Sequence, residues 1–431
     1  MNIYERYKDS GIPWLGEVPE HWEIVPIRYL FQFKNNLRIP LSAEERGKII
    51  EKIYPYYGAS GIIDYVDNFI FDEDLILVAE DGANLLSRST PLAFIATGKY
   101  WVNNHAHILK PLSHIIKFWQ YLLQIYDFLP LISGSAQPKL TKDNLASILL
   151  PTPPVEEQTA IAHYLDTKLG EIDALIGKQQ TLLEKLAEQR TAVITHAVTK
   201  GLNPAAPMKN SGVEWLGDVP AHWEIIKNKY ILEFSKGLTI TKENLINDGI
   251  PCVSYGEIHS KYGFEVNPEK HFLKCVSEEY LENNDHAYLK NGDFVFADTS
   301  EDVKGSGNFT YLNSNLPIFA GYHTIVARPN LRKVLPRFLA YVFDSNAHRN
   351  QIRAMVKGVK VFSITQAFLK NTFSWLPSKK EQTAIAEYLD QETAKIDRLC
   401  DTVNQTIGRL KEYRTALITQ AVTGKIKVTD E

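Results

Sequence analysis

Eleven residues near the start of the chain, Trp14-Leu15-Gly16-Glu17-Val18-Pro19-Glu20-His21-Trp22-Glu23-Ile24, return 201 residues later as Trp215-Leu216-Gly217-Asp218-Val219-Pro220-Ala221-His222-Trp223-Glu224-Ile225, nine of them unchanged. A longer match sets Gln158 to Thr199 against Gln382 to Thr423, with 21 of 42 residues identical. Between the paired blocks identity falls to scattered anchors. A chain of this kind must fold as two copies of one framework that carry different middles. The offset between copies is 201 at Ser10/Ser211 and Phe33/Phe234, about 218 at His105/His323 and Pro111/Pro329, and 224 from Gly134/Gly358 onward. The second copy is therefore larger by 23 residues, gained in several places, as surface loops tolerate.

The 431 residues leave room for two globular units plus the shared segments. A hydrophobic fraction of 44% and a charged fraction of 23% are ordinary for a globular chain, and no apolar run is long enough to span a bilayer. The first residues lack the apolar stretch of a secretory signal, and Cys252, Cys275 and Cys400 show no short pairing. A cytoplasmic location without disulfides is expected. The net charge of -4 does not announce a nucleic-acid binder, but a local cluster suffices for one. Arg349, Arg353, Lys357 and Lys360 form such a cluster, free of acids, just before a repeated loop.

Within each copy the Trp-Leu-Gly-x-Val-Pro-x-His-Trp opening predicts a turn leading into an extended segment, because its glycine and proline disfavour a helix. Its histidines, His21 and His222, are expected to staple the start of each unit. Leu75–Ala79 and Asp293–Ala297 have the composition of buried strands. Helical pieces are expected at Ile115–Tyr126 and Pro336–Met355, followed in the first copy by a strand-like exit at Ser147–Leu150. Pro151, Pro153 and Pro154 end that exit, and the proline-free run behind them predicts a helix about 63 Å long at ~1.5 Å per residue. Ile172, Leu175, Leu182, Leu186 and Val193 recur at alternating steps of three and four, and Ile396, Leu399, Val403, Leu410 and Leu417 repeat them. That is the period of a coiled-coil seam, with Ile161/Leu165 and Ile385/Leu389 extending the stripe upstream. Gln179, Gln189 and Thr406 in the seam are expected to set register or lie at its solvent edge. The natural partner for each stripe is its own repeat, in an antiparallel intramolecular pair with one head at each end.

The expected class is α+β: two mixed α/β recognition domains separated by two long antiparallel helices, with a pseudo-two-fold repeat. The expected boundaries are residues 1–154 for the first domain, 155–200 for the first helix, 201–378 for the second domain, 379–424 for the second helix and 425–431 for a tail.

No catalytic or metal constellation is expected. Thr152-Pro153-Pro154-Val155 has the prolines of an adenine-methyltransferase loop without its flanking residues, and Lys304-Gly305-Ser306-Gly307-Asn308 is too short to hold a triphosphate. The triplets Asp166-Thr167-Lys168 and Asp302-Val303-Lys304 do not recur between copies, and His105 with His107 lacks further metal-ligand spacing.

The paired Trp-Leu-Gly-x-Val-Pro-x-His-Trp openings, the variable middles, and the paired Glu-Gln-Thr-Ala-Ile-Ala-x-Tyr-Leu-Asp helices ending in Arg-Thr-Ala-x-Ile-Thr resemble the DNA-specificity subunits of Type I restriction-modification enzymes. The likeness runs from about Tyr7 to Thr423, with every block in order in both copies. One departure lies before the second helix, where Trp375-Leu376-Pro377-Ser378-Lys379-Lys380 replaces the proline-rich turn of the first copy. The resemblance implies a chain that recognises double-stranded DNA and holds no cofactor itself. It implies two DNA-methyltransferase subunits that bind S-adenosylmethionine and methylate adenine, and two restriction subunits that use ATP and Mg. It also implies a bipartite asymmetric site, one domain per half-site, with helix length setting the spacer. A coiled-coil scaffold whose heads bind protein partners is the alternative.

Three pairs of segments are the candidate DNA contacts. The glycine-led loop Gly134-Ser135-Ala136-Gln137-Pro138-Lys139 matches Gly358-Val359-Lys360-Val361-Phe362-Ser363 in the repeat; Gln137 suits an adenine edge, and Lys139 and Lys360 suit guanine or phosphate. Tyr57 and Ser60 in the first copy, and Tyr255 and Glu257 in the second, lie on segments common in such domains. Asp81, Asn84 and Arg88, with Asp298, Thr299, Ser300 and Lys304 opposite, follow the matched strands and are expected on the next loop, and Arg353 and Lys357 come from the basic cluster. The DNA-binding candidates are thus Tyr57, Ser60, Asn84, Arg88, Ser135, Gln137, Lys139, Tyr255, Glu257, Lys304, Arg353, Lys357, Lys360 and Ser363.

Overall fold

A computed structural model describes residues 3–134, 137–358 and 360–428. The fold is α+β, and two helices dominate it, Val155–Lys200 and Lys379–Val422. The chain falls into two compact units: unit 1 takes residues 1–180 and 404–431, and unit 2 takes 181–403, so each long helix is divided between them.

The core of unit 1 is a four-stranded antiparallel sheet in the order Phe31–Phe33, Ala106–Pro111, Leu75–Ala79, Ala93–Ala96. Every residue of Leu75–Ala79 is buried, as its unbroken apolar run requires of a strand covered on both faces. Unit 2 repeats this sheet as Leu232–Lys236, Thr324–Pro329, Phe294–Ala297, Phe309–Leu312, with Phe264–Val266 added in parallel at the edge. A smaller sheet accompanies each: Tyr54–Gly58 runs parallel to Lys99–Val102 in unit 1, and Ile250–Val253 parallel to Phe319–Ala320 in unit 2.

A helix over Ile116–Ile125 packs on the first core sheet. Its counterpart in unit 2 is not the single helix expected over Pro336–Met355. Ser345 leaves the helical conformation (φ -67°, ψ 146°), ending Pro336–Asp344, and its hydroxyl accepts from His348 N to start Asn346–Arg353. A serine that caps so well breaks a run that apolar spacing alone would continue. The exit strand also begins later than expected, at Leu149–Thr152, because Lys142–Ser147 forms a short helix capped by Thr141.

The repeated tryptophan-histidine opening joins each head to the helices. In unit 1, Trp22 Nε1 donates to Glu157 Oε2 at 3.0 Å and His21 Nε2 bonds Glu157 Oε1. In unit 2, Trp223 Nε1 donates to Glu381 Oε1 at 3.1 Å and His222 Nε2 bonds Glu381 Oε2 at 2.8 Å. The same tryptophans receive the ends of the helices. Gly424, at φ +71°, lies against Pro19 and Trp22, and Gly201, at φ +73°, against Pro220 and Trp223. The left-handed backbone that closes a helix favours glycine, and a Cβ on Gly424 would stand 2.4 Å from Pro19 Cδ. His21 and His222 are thus the staples their repetition predicts.

Each junction holds the start of one helix beside the end of the other, the order of an antiparallel pair. In unit 1 Leu417, Ile418, Ala421 and Val422 share a core with Ile161, Leu165, Leu169 and Ile172. In unit 2 Ile194, Ala197 and Val198 share one with Ile385, Ala386 and Leu389. A polar pair repeats too: Arg414 Nε donates to Asp173 Oδ1 at 3.0 Å in unit 1, and Arg190 Nε lies 3.8 Å from Asp397 Oδ1 in unit 2. The first helix starts at prolines, whereas the second starts at Ser378, whose hydroxyl accepts from Glu381 N.

The seam differs from expectation at alternate positions. Ile172, Leu186, Ile396, Val403 and Leu417 are buried, and Val193 and Leu410 pack partly buried against the cores. Leu175, Leu182 and Leu399, however, are 46%, 42% and 53% exposed. The stripe turns Ile176, Leu183 and Cys400 inward in their place. Each is the second member of an adjacent apolar pair, so spacing alone leaves the choice open. The choice is made upstream, where Leu169 and Thr393 are buried and fix the phase.

Glu157 is held below the usual carboxylate range: burial opposes this, but the hydrogen bonds from His21, Trp22 and Tyr4 outweigh it. A depressed carboxylate contributes stability above its unfolded pKa, and that contribution is lost as pH falls through the folded value. Glu157→Gln should lower the melting temperature at pH 7, by about 1–3 kcal/mol of stability, and the gap between the two proteins should close as pH falls below the usual carboxylate range; thermal melts across pH check both. Ile396→Ala should cost about 2–4 kcal/mol and Leu399→Ala under ~1, in denaturant titrations.

Candidate functional site

The strands of each core sheet end in loops that meet at one rim. In unit 1, Leu75–Ala79 runs into Glu80 and Asp81, the strand Ala106–Pro111 is preceded by His105, and Asp81 bridges to Lys139. In unit 2, Phe294–Ala297 runs into Asp298, His323 precedes Thr324–Pro329, and Thr299 pairs with Ser363. The backbone bonds repeat: Glu80 N donates to His105 O and Leu140 N to Glu80 O, as Asp298 N does to His323 O and Ile364 N to Asp298 O. The glycine-led loops also match. A Cβ on Gly134 would stand 2.6 Å from Gln137 O, and one on Gly358 would stand 2.2 Å from Val361 O, so both turns require a residue without one.

In unit 1 Ser60 and Asn84 share a concavity with Asp81, Asn103 and His105. Asn84 is occupied in part, since its side chain bonds Ser89 and the backbone of Thr90. Lys139 Nζ lies 3.3 Å from Glu80 Oε1, with half of its side chain in solvent. Glu80 also takes Arg38; burial opposes its ionisation, but Arg38, His107 and Lys139 together hold it below the carboxylate range. Gln137 is exposed, and Ser135 lies outside the described residues. Two candidates turn away from the rim. Arg88 donates to the Tyr126 carbonyl, and the Tyr57 ring packs between Phe94 and Tyr100. His107 is a core residue, with Nε2 donating to Leu140 O and Nδ1 facing Asn35 Nδ2; burial lowers its pKa.

In unit 2 Tyr255, Lys304 and Arg353 line one cleft of about 820 Å³, together with Arg190, His259 and Arg349. Arg349 donates to Asp344 and to Asn308, and Arg190 lies 3.4 Å from Asp344. Arg353 donates to the Lys304 carbonyl at 2.8 Å, and its pKa is lowered, first by burial and then by Arg349. Lys357, Lys360 and Ser363 are exposed around the second glycine loop. Glu257 serves the backbone instead, accepting from Ser254 N in a capping box that starts Tyr255–Ser260.

Residue patterns missed the rim histidines and Arg190. His105 and His323 match between copies, yet their partners Asp81 and Asp298 do not stand at matching positions. Arg190 is identical in both copies as Arg414, which was the available signal. Among the described residues no group of three or more His, Cys, Asp or Glu could hold a metal ion, and no helix is long and apolar enough to cross a membrane. Glu257→Ala should cost unit 2 about 1 kcal/mol through loss of the cap, read as a lowered melting temperature.

A family profile described as the Type I restriction modification DNA specificity domain matches residues 19–185 and again 220–408. The Type I restriction enzyme MjaVIII specificity subunit of Methanocaldococcus jannaschii is 23% identical over 99% of this chain and 98% of its own length. The Type I restriction enzyme EcoKI specificity subunit of Escherichia coli is 26% identical over 95% and 90%. A structure solved in work on complex assembly and conformational transition of the type I R-M system superposes with a TM-score of 0.66 at 16% identity, over 94% of this chain and 98% of that one, a likeness of fold. Two matched stretches that together span most of the sequence place it: the chain belongs to the Type I restriction-modification DNA specificity family.

Proposed function

We propose that the chain is the recognition member of a Type I restriction-modification complex and reads a bipartite, asymmetric DNA site. Residues 1–154 and 201–378 each read one half-site. The observation that carries this reading is a repeated framework whose strand ends meet at equivalent rims furnished with different side chains. Two rims of equal build and unequal chemistry suit two different short sequences.

In the first domain Ser60, Asn84, Gln137 and Lys139 face the DNA. In the second, Tyr255, Lys304, Arg353, Lys357, Lys360 and Ser363 do so. The lysines and arginines fix register on phosphates, while polar groups reach base edges. Residues 155–200 and 379–424 set the distance between half-sites. Methylation and cleavage belong to the partners: two methyltransferase subunits that carry S-adenosylmethionine, and two restriction subunits that use ATP and Mg. The complex works in the cytoplasm, where the genome lies.

The test is selection from random double-stranded DNA by the chain assembled with its methyltransferase subunits. The reading expects enrichment of two fixed elements separated by a constant unspecified spacer; no enrichment overturns it and favours a scaffold. Deleting four residues from one long helix should change the spacer and leave both elements intact. Lys357→Ala should reduce the slope of log affinity against log salt by about 0.9.

A further inference from the structure

At each rim an exposed histidine is held by an aspartate. In unit 1, Nδ1 of His105 lies 2.8 Å and 2.9 Å from the two oxygens of Asp81. In unit 2, Nδ1 of His323 lies 3.2 Å from Asp298 Oδ1. The imidazoles stand at matching backbone positions, each immediately before the second strand of its core sheet. Their carboxylates do not. By the ladder, Asp298 stands where unit 1 has Glu80, and Glu80 is engaged by Arg38 and Lys139. Asp81, one residue further on, supplies the partner instead. The same pair is therefore reached by two routes, in heads whose remaining rim residues differ.

Holding the strand ends together does not account for it. The backbone bonds from Glu80 N to His105 O and from Asp298 N to His323 O already do that, and surface ion pairs add little. The side chains of His105 and His323 are 51% and 56% exposed. His323 also sits at φ +54°, a backbone region that residues other than glycine seldom occupy.

An ionised carboxylate only accepts hydrogen bonds, so Nδ1 must carry a proton and donate. In the neutral ring Nε2 is then an acceptor, with its direction fixed by the aspartate. A neutral imidazole beside a carboxylate carries a net negative charge, which repels phosphate. It suits a hydrogen-bond donor, and the donors that duplex DNA presents in its major groove are the amino groups of adenine N6 and cytosine N4.

We propose that His105 and His323 are specificity-determining residues, one in each head, that accept a hydrogen bond through Nε2 from an exocyclic amino group in the major groove. Asp81 and Asp298 are their positioning residues. The inference rests on the function proposed above.

The experiment uses the chain assembled with its methyltransferase subunits and the duplex selected by the unaltered complex. His105→Ala should lose roughly tenfold in affinity and relax preference at one position of one element; His323→Ala should do so in the other element. Asp81→Asn should relax the same position as His105→Ala, and His105→Gln, whose amide oxygen can accept near the place of Nε2, should retain more preference than alanine. Replacing the base at that position by an analogue without its amino group should weaken the unaltered complex about as much and leave His105→Ala unaffected. If every variant keeps full preference, or affinity falls equally on all sequences, the inference is overturned while the two-part site stands. If the unaltered complex selects no site at all, the functional reading itself has failed.

Discussion

A glutamate in the first turn of each long helix, held by the indole and imidazole of the repeated opening, fixes the rest of the structure. Glu157 and Glu381 each accept from a buried tryptophan and bond a histidine, 136 and 159 residues away in sequence respectively. Because the same tryptophan receives the glycine that ends the other helix, one junction specifies two things at once. It seats a head on a helix start, and it brings the opposite helix end alongside. Neither helix carries an apolar face broad enough to be stable alone, so the junctions and the shared cores supply what helix propensity does not.

The junction separates what the two copies share from what they do not. Around it the copies agree: Asp166 takes Lys117 and Tyr121 as Asp390 takes Arg337 and Tyr341, and Gln158 and Gln382 each donate to the carbonyl of a preceding proline. The aspartate of the Asp166-Thr167-Lys168 triplet, which has a nuclease-like spacing, is therefore a link between head and helix. At the rim the copies diverge, with Lys139 beside Asp81 in one and Ser363 beside Thr299 in the other. A frame that tolerates such divergence lets a head change its chemistry without disturbing the helices.

How much of this could be read from sequence varied with how uniquely residue type fixes geometry. The long helices were legible because prolines bound a proline-free run, and the staples because His21, Trp22 and Glu157 all recur. The seam was legible in period but not in phase: Leu175-Ile176, Leu182-Leu183 and Leu399-Cys400 offer two apolar neighbours apiece, and only packing upstream decides between them. Ser345 hid a helix break in a run of suitable composition. At the rims the glycine loops were legible, since Gly134 and Gly358 each meet a backbone oxygen. Tyr57, Glu257 and Arg88 were not, because an aromatic, an acid or a base near a loop serves a core, a cap or a carbonyl as readily as a ligand. The aspartates Asp81 and Asp298 were legible as loop candidates, but their pairing with His105 and His323 was not, because they stand one residue out of register.

If the junctions define the frame and the strand ends carry the reading, heads should be exchangeable between them. The most direct measurement is site selection by a chain in which Val25–Leu150 is replaced by Ile226–Ser374, segments that begin and end on paired strands in each unit. The account predicts a folded complex that selects two copies of the element read by the second head. Continued selection of the original two different elements would contradict it.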